Sequence, residues 1–109
     1  MSLLELKANL EGELFTDNTT RRLYATDASA YREMPLAVAI PVNKQDLITL
    51  VNYARDNGRS LIPRTAGTSL SGQVVGSGII VDISKHFGKL LEVNTEQGYA
   101  WVEPGMTLF

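Results

Sequence analysis

The sequence predicts an α/β fold: a small three-stranded parallel sheet with a βαβ unit and flanking helices, followed by a β-hairpin. Three observations carry this prediction. Ala37–Ile40 and Ile79–Ile83 are short, continuous apolar runs of the kind found in strands buried on both faces, the second broken only by Asp82. Between Ala37–Ile40 and a further short strand, Ser60–Pro63, lies a segment with helical periodicity and a cap at each end. Strand, helix and strand in that order make a crossover unit, whose strands run parallel. Beyond the third strand, Leu90–Val93 and Tyr99–Glu103 flank Thr95-Glu96-Gln97-Gly98, which is a hairpin pattern.

Taken in order, Ser2-Leu3-Leu4-Glu5 is a capping box and opens a short amphipathic helix expected to reach about Gly12. Residues 16–34 are polar and irregular, with one short helix expected around Asn18–Leu23. Pro41 ends the first strand. Asn43 caps the crossover helix, and Asp46 in its first turn complements the helix dipole. Leu47, Leu50, Val51 and Ala54 fall on one face and are expected to be its buried stripe. Gly58 stops the helix. Residues 64–78 are expected to be a loop. A parallel sheet needs cover on both faces, and the helices in view give thin cover. Pro104-Gly105-Met106-Thr107-Leu108-Phe109 reads as the entry to another helix. The chain is therefore expected to be a piece of a larger protein.

Composition excludes several classes of function. The 109 residues carry a net charge of −2 and no Lys/Arg run, which argues against a nucleic-acid surface. With no cysteine, thiolate metal sites, disulfides and cysteine nucleophiles are out. The longest apolar stretch, Leu36–Ile40, lies between Pro35 and Pro41, far short of the ~20 residues of a membrane span. The N-terminus has no signal-peptide pattern. A cytoplasmic location is expected, with membrane association of the full-length protein left open.

The segment with chemistry in it is Pro63-Arg64-Thr65-Ala66-Gly67-Thr68-Ser69-Leu70-Ser71-Gly72-Gln73, between two buried strands. Four of the nine glycines fall between positions 67 and 78. A ligand can approach a backbone with small side chains closely, and consecutive amides in such a turn can form an anion-binding nest. Thr68 and Ser69 add hydroxyls. By composition alone, a plain surface loop of small polar residues is the commoner reading. Two familiar phosphate loops are excluded. There is no Gly-Lys-Ser/Thr ending, and Gly76-Ser77-Gly78 precedes a strand where the dinucleotide fingerprint follows one.

The segment resembles the FAD-binding region of the FAD-linked oxidases of the vanillyl-alcohol oxidase type. Within them it is most similar to glycolate oxidase and D-lactate dehydrogenase-like 2-hydroxy-acid dehydrogenases. The likeness lies in Tyr24-Ala25-Thr26-Asp27-Ala28-Ser29, Ala39-Ile40-Pro41, Leu61-Ile62-Pro63-Arg64 with Gly67 through Gly72, Ile79 through Ser84, and Val102-Glu103-Pro104-Gly105, in that order and spacing. It implies that the chain is the first lobe of a two-lobed FAD-binding domain, with residues 1–34 an N-terminal helical segment and 35–109 the lobe itself, cut at its C-terminal end. It implies that the amides of Arg64, Thr65, Ala66, Gly67, Thr68 and Ser69 hold the FAD diphosphate. Pro41, Pro63, Gly72 and Gln73 complete the implied cofactor set. The family commonly has glycine where this chain has Thr65, and often where it has Ala66. Relatives that bind flavin covalently often have histidine at the position of Thr68, so non-covalent FAD is implied.

The resemblance further implies an FAD-dependent oxidoreductase acting on a small 2-hydroxy acid, with the remaining lobe and substrate domain supplied by the rest of the parent chain and this piece inactive alone. The competing reading is a freestanding, non-catalytic α/β module that binds a protein or a small anion. No catalytic residue and no metal ligand is assigned. His86, the lone histidine, is expected to be structural or solvent-facing. Asp82 is expected to be a buried, hydrogen-bonded carboxylate, and Tyr99 and Trp101 to be packing residues.

Overall fold

A computed structural model describes residues 2–29, 31–68 and 72–107. Ser2 caps helix α1 (Leu3–Asn9), its hydroxyl accepting from the Glu5 amide at 3.2 Å. The helix stops at Asn9, one turn short of the expected end, because residues 11 and 12 are drawn into the approach to a strand. That strand, β1 (Glu13–Phe15), is absent from the sequence reading. Asp17 caps α2 (Asn18–Leu23), where the short helix was expected. Then come β2 (Ala37–Ile40), α3 (Lys44–Asn57), β3 (Leu61–Arg64), β4 (Ile79–Asp82), β5 (Leu90–Asn94) and β6 (Tyr99–Val102).

Four strands form one sheet in the order β1-β2-β4-β3. The three parallel strands are those expected, and β1 adds an antiparallel edge with Leu14 opposite Ala39. β2 and β3, joined by α3, do not touch; β4 lies between them, with Ala39 opposite Val81 on one side and Pro63 opposite Val81 on the other. Every residue of β2 and β4 is buried, which explains their lack of polar alternation. The core on one face joins Leu6, Leu14, Ala37, Ala39, Leu50, Tyr53, Ile79 and Val81. The opposite side chains, Val38 and Ile80, are also fully buried, and α2 packs against β2. The N-terminal segment thus supplies the cover that the sequence left thin.

The buried stripe of α3 is Asp46, Leu50, Tyr53 and Ala54, at spacings of four, seven and eight residues. Leu47 is partly buried as expected, but Val51 is 55% exposed and Tyr53 takes its place. Asp46 explains the rotation. Its carboxylate does more than sit near a helix dipole: it accepts from the amides of Glu11 and Gly12 (both 2.9 Å) and Val42 (3.1 Å). Anchoring that side chain inward turns Tyr53 to the core and Val51 to solvent. Burial pushes the Asp46 carboxyl up, but the three amides outweigh it and hold it below its ordinary value. Gly58, at φ 62°, ends the helix in the left-handed conformation.

β5 and β6 pair only with each other, with a bulge between Leu90 and Glu92. Tyr99 and Trp101 were expected to pack. They are 40% and 64% exposed, because the hairpin stands apart from the four-stranded core.

Candidate functional site

The three parallel strands end on one edge of the sheet. Pro41 follows β2, Thr65 follows β3 and Ile83 follows β4, and ligands of open parallel sheets bind outside such ends. Arg64 is the last residue of β3, its carbonyl accepting from the Ile83 amide at 3.0 Å, so the loop proper begins at Thr65. Gly67 and Gly72 both have φ 69°, a backbone that side chains rarely adopt, and they reverse the chain at two points of the loop.

A cleft of about 390 Å³ opens beside this loop, lined by Thr65, Ala66, Ser84, Pro104, Gly105, Met106 and Thr107. None of these side chains is charged. Thr65 and Ala66 are exposed and form one wall. The opposite wall is set by Gly105, whose amide donates to the Phe87 carbonyl at 2.6 Å. A Cβ at that glycine would lie 2.6 Å from the carbonyl oxygens of both Ile83 and Phe87, so only glycine fits. Among the described residues, nothing accepts from the amides of Thr65, Ala66 or Thr68. Among the described residues, these donors after β3 have no competing protein acceptor.

The other residues singled out by sequence are placed as follows. Pro41 is fully buried at the end of β2. Pro63 is exposed and borders an apolar groove of about 290 Å³ with Leu47, Leu61, Val81, Ile83, Phe87 and Pro104, next to the cleft. Gly72 packs on Tyr31: a Cβ there would come 2.8 Å from the ring. Gln73 is exposed, and neither Gly72 nor Gln73 lines the cleft. Ser69 lies outside the described residues. His86 is exposed. Among the described residues, no group of three or more His, Cys, Asp or Glu could hold a metal.

Sequence reasoning missed the support behind the loop. The Arg64 guanidinium turns toward residues 24–26, its Nη1 donating to the carbonyls of Thr26 (2.7 Å) and Tyr24 (3.3 Å). Its Cζ stands 5.2 Å from the centre of the Tyr24 ring. The Tyr24 hydroxyl donates to Asp82 Oδ2 at 2.5 Å. Asp82 Oδ1 accepts from the amide and hydroxyl of Ser84, at 2.9 and 2.6 Å. Asp82 is thus the buried, hydrogen-bonded carboxylate expected. Burial would raise its pKa, yet the hydrogen bonds from Ser84 and Tyr24 prevail and it lies below its ordinary value. The same burial, with the bond to Asp82, pushes the Tyr24 phenol up to about 12. Asp27 accepts from the Ser29 hydroxyl and amide, which hold its carboxyl low against burial, and the Val74 amide adds to this. The sequence signal for this network was present as Tyr24 through Ser29, without indicating which partners it meets.

Comparison with known proteins places this arrangement. A family model for the FAD binding domain matches residues 35–109. D-2-hydroxyglutarate dehydrogenase of Escherichia coli K12 is 36% identical over 112 residues, covering 95% of this chain and 11% of that protein. The glycolate oxidase subunit GlcD of Bacillus subtilis is 33% identical over 97 residues, covering 86% of this chain and 21% of the subunit. The chain therefore spans between about a tenth and a fifth of the length of these relatives. Among solved structures, 6-hydroxy-D-nicotine oxidase from Arthrobacter nicotinovorans superposes with a TM-score of 0.76 over 97% of this chain and 23% of its own, at 21% identity, a likeness of fold. The expected α/β architecture, with its parallel sheet and separate hairpin, is the one these proteins share.

Proposed function

The chain belongs to the FAD binding domain family, and from that premise we propose that the backbone amides of Thr65, Ala66, Gly67 and Thr68 take the diphosphate of FAD at the cleft whose wall Thr65 and Ala66 form. The observation behind this reading is the set of loop amides after β3, with no acceptor among the described residues, beside a cleft that has no carboxylate among its described lining residues. A diphosphate needs closely spaced donors and no opposing negative charge, and charge-assisted bonds to such donors are worth about 1.5–3 kcal/mol each. The donor set fits that group. Thr65 and Ala66 form part of the cleft wall. Pro41 follows β2 and Pro63 lies within β3 next to the site, and Ser69, Gly72 and Gln73 belong to the loop segment. Thr68 offers no ring nitrogen for attachment, so the cofactor is held non-covalently.

The whole protein is proposed to be a flavin-dependent dehydrogenase of a small 2-hydroxy acid. When bound, FAD would supply the redox chemistry, as acceptor of the hydride on the substrate's α-carbon. The role of this chain is to hold and orient the cofactor; the substrate-binding and proton-accepting groups come from the rest of the polypeptide. A freestanding anion-binding module is the weaker reading, because the matched relatives are dehydrogenases and oxidases several times longer. The test uses the full-length protein. The expected result is a yellow protein whose flavin is released by acid precipitation and which reduces a dye acceptor with D-2-hydroxyglutarate, glycolate or D-lactate. A colourless protein that gains no flavin on incubation with FAD would defeat the cofactor assignment. A flavoprotein that oxidises none of these acids would defeat the substrate class alone.

A further inference from the structure

The network behind the loop forms a closed circuit. Arg64 reaches back to the carbonyls of Tyr24 and Thr26, and the Ala28 amide donates to the Gly67 carbonyl at 3.0 Å. Gly67 sits against the guanidinium so closely that a Cβ would lie 2.5 Å from Nη2. Tyr24 ties this circuit to the sheet, since its hydroxyl meets Asp82 at the end of β4 and its ring lies under the guanidinium. Asp82 is in turn fixed by Ser84, a residue of the cleft wall. The positive charge of Arg64 is thus spent on backbone carbonyls behind the loop and does not enter the cleft. Residues 24–28 precede the stretch matched by the family model, which begins at residue 35.

We propose that Tyr24 and Arg64 are positioning residues for the cofactor: they hold the Thr65–Thr68 turn in the shape that presents its amides, without contacting FAD themselves. The proposal rests on the reading above that this turn takes the diphosphate. If the turn were not braced, its left-handed glycine, Gly67, would let it sample many conformations, and binding would have to select one of them. Bracing removes that cost before the cofactor arrives. A side chain acting in this way should change cofactor affinity while leaving the fold intact, and its effect should not depend on net charge.

The experiment compares full-length wild-type protein with Tyr24→Phe, Arg64→Lys and Arg64→Gln. FAD affinity is measured by titrating apoprotein and following flavin fluorescence. The melting temperature of the apoprotein and the turnover at limiting and excess FAD are measured beside it. Tyr24→Phe keeps the ring and removes one hydroxyl, and it is expected to weaken FAD about tenfold, as loss of one hydrogen bond to a charged group should. The apoprotein is expected to melt within about 2 °C of wild type. Turnover falls at limiting FAD and recovers in excess FAD. Arg64→Lys keeps the charge but loses the planar guanidinium, whose Nη1 reaches both carbonyls while its Cζ lies over the Tyr24 ring, so it should weaken FAD as much as Arg64→Gln does. The proposal is overturned if Tyr24→Phe binds FAD as wild type does, or if it loses affinity only in step with a lower melting temperature. It is also overturned if Arg64→Lys retains wild-type affinity while Arg64→Gln does not, because the charge would then act on the diphosphate directly. A wild-type protein that binds no FAD removes the underlying cofactor reading, and is told apart from these results because every variant is scored against a wild type that binds.

Discussion

Replacing Gly67 by alanine probes the loop at its tightest point. The residue has φ 69°, and an L-residue in the left-handed region costs about 1–2 kcal/mol. The new methyl would also stand 2.5 Å from Arg64 Nη2 and 2.9 Å from Cζ. A guanidinium is the far end of a flexible side chain and can move aside. Doing so breaks its bonds to the Thr26 and Tyr24 carbonyls. Arg64 is only half-buried, so water replaces part of what is lost, and about 1.5 kcal/mol is left for the pair, half of what two bonds at the lower end of the range for charged groups would give. Together these give about 3 kcal/mol against the binding conformation, or roughly a hundredfold loss of FAD affinity. The assay is fluorescence titration of full-length apoprotein with FAD. Gly98→Ala is the control: it has φ 73° in the hairpin turn, no atom within 4 Å of the new methyl, and no contact with the loop. It should carry similar backbone strain and leave FAD affinity unchanged. If Gly67→Ala binds FAD within about threefold of wild type, or if Gly98→Ala loses as much, the loop does not act as argued.

Two further outcomes follow from buried groups away from the loop. Asp46→Asn should expose the Glu11, Gly12 and Val42 amides to hydrogen exchange by about 3 kcal/mol at pH 7, since the amide side chain keeps one acceptor oxygen for three donors. Because the folded pKa of Asp46 lies below the ordinary 3.8, its contribution is full above that value and is lost as pH falls through the folded pKa. The gap between wild type and Asp46→Asn, compared at matched pH, should therefore close only below pH 3.8; a gap unchanged down to the most acidic conditions would contradict the role given to this carboxylate. Gly105→Ala should lower the melting temperature of the full-length protein, because its methyl would meet two backbone carbonyls at 2.6 Å that cannot swing away. A melting temperature equal to wild type would show that the cleft wall is not as tight as described.

The parts of this fold legible in sequence are those fixed by neighbours along the chain. The caps at Ser2 and Asn43 act within three residues, and the stop at Gly58 needs only its own φ. The apolar runs of β2 and β4 announce strands buried on both sides. What stayed hidden depends on distant partners. β1 is three residues long and has no pattern of its own; it pairs with β2 next to Glu11 and Gly12, which Asp46 grips from 35 and 34 positions away. The insertion of β4 between β2 and β3 is a property of the whole sheet. Val51 and Tyr53 exchanged places because one buried carboxylate turned the helix. At the candidate site, Thr65 through Gly67 were legible as small residues between strands, but the Arg64 contacts to Tyr24 and Thr26 span 40 and 38 residues. The loop could be read locally and its brace could not.

The account's central claim is that the main-chain donors after β3 hold the cofactor's phosphates. A crystal structure of the full-length protein with FAD tests this directly. It should place diphosphate oxygens about 3 Å from amide nitrogens between Thr65 and Thr68, with the Arg64 guanidinium still turned back toward Tyr24. Phosphates bound elsewhere, with those four amides facing solvent, would contradict it.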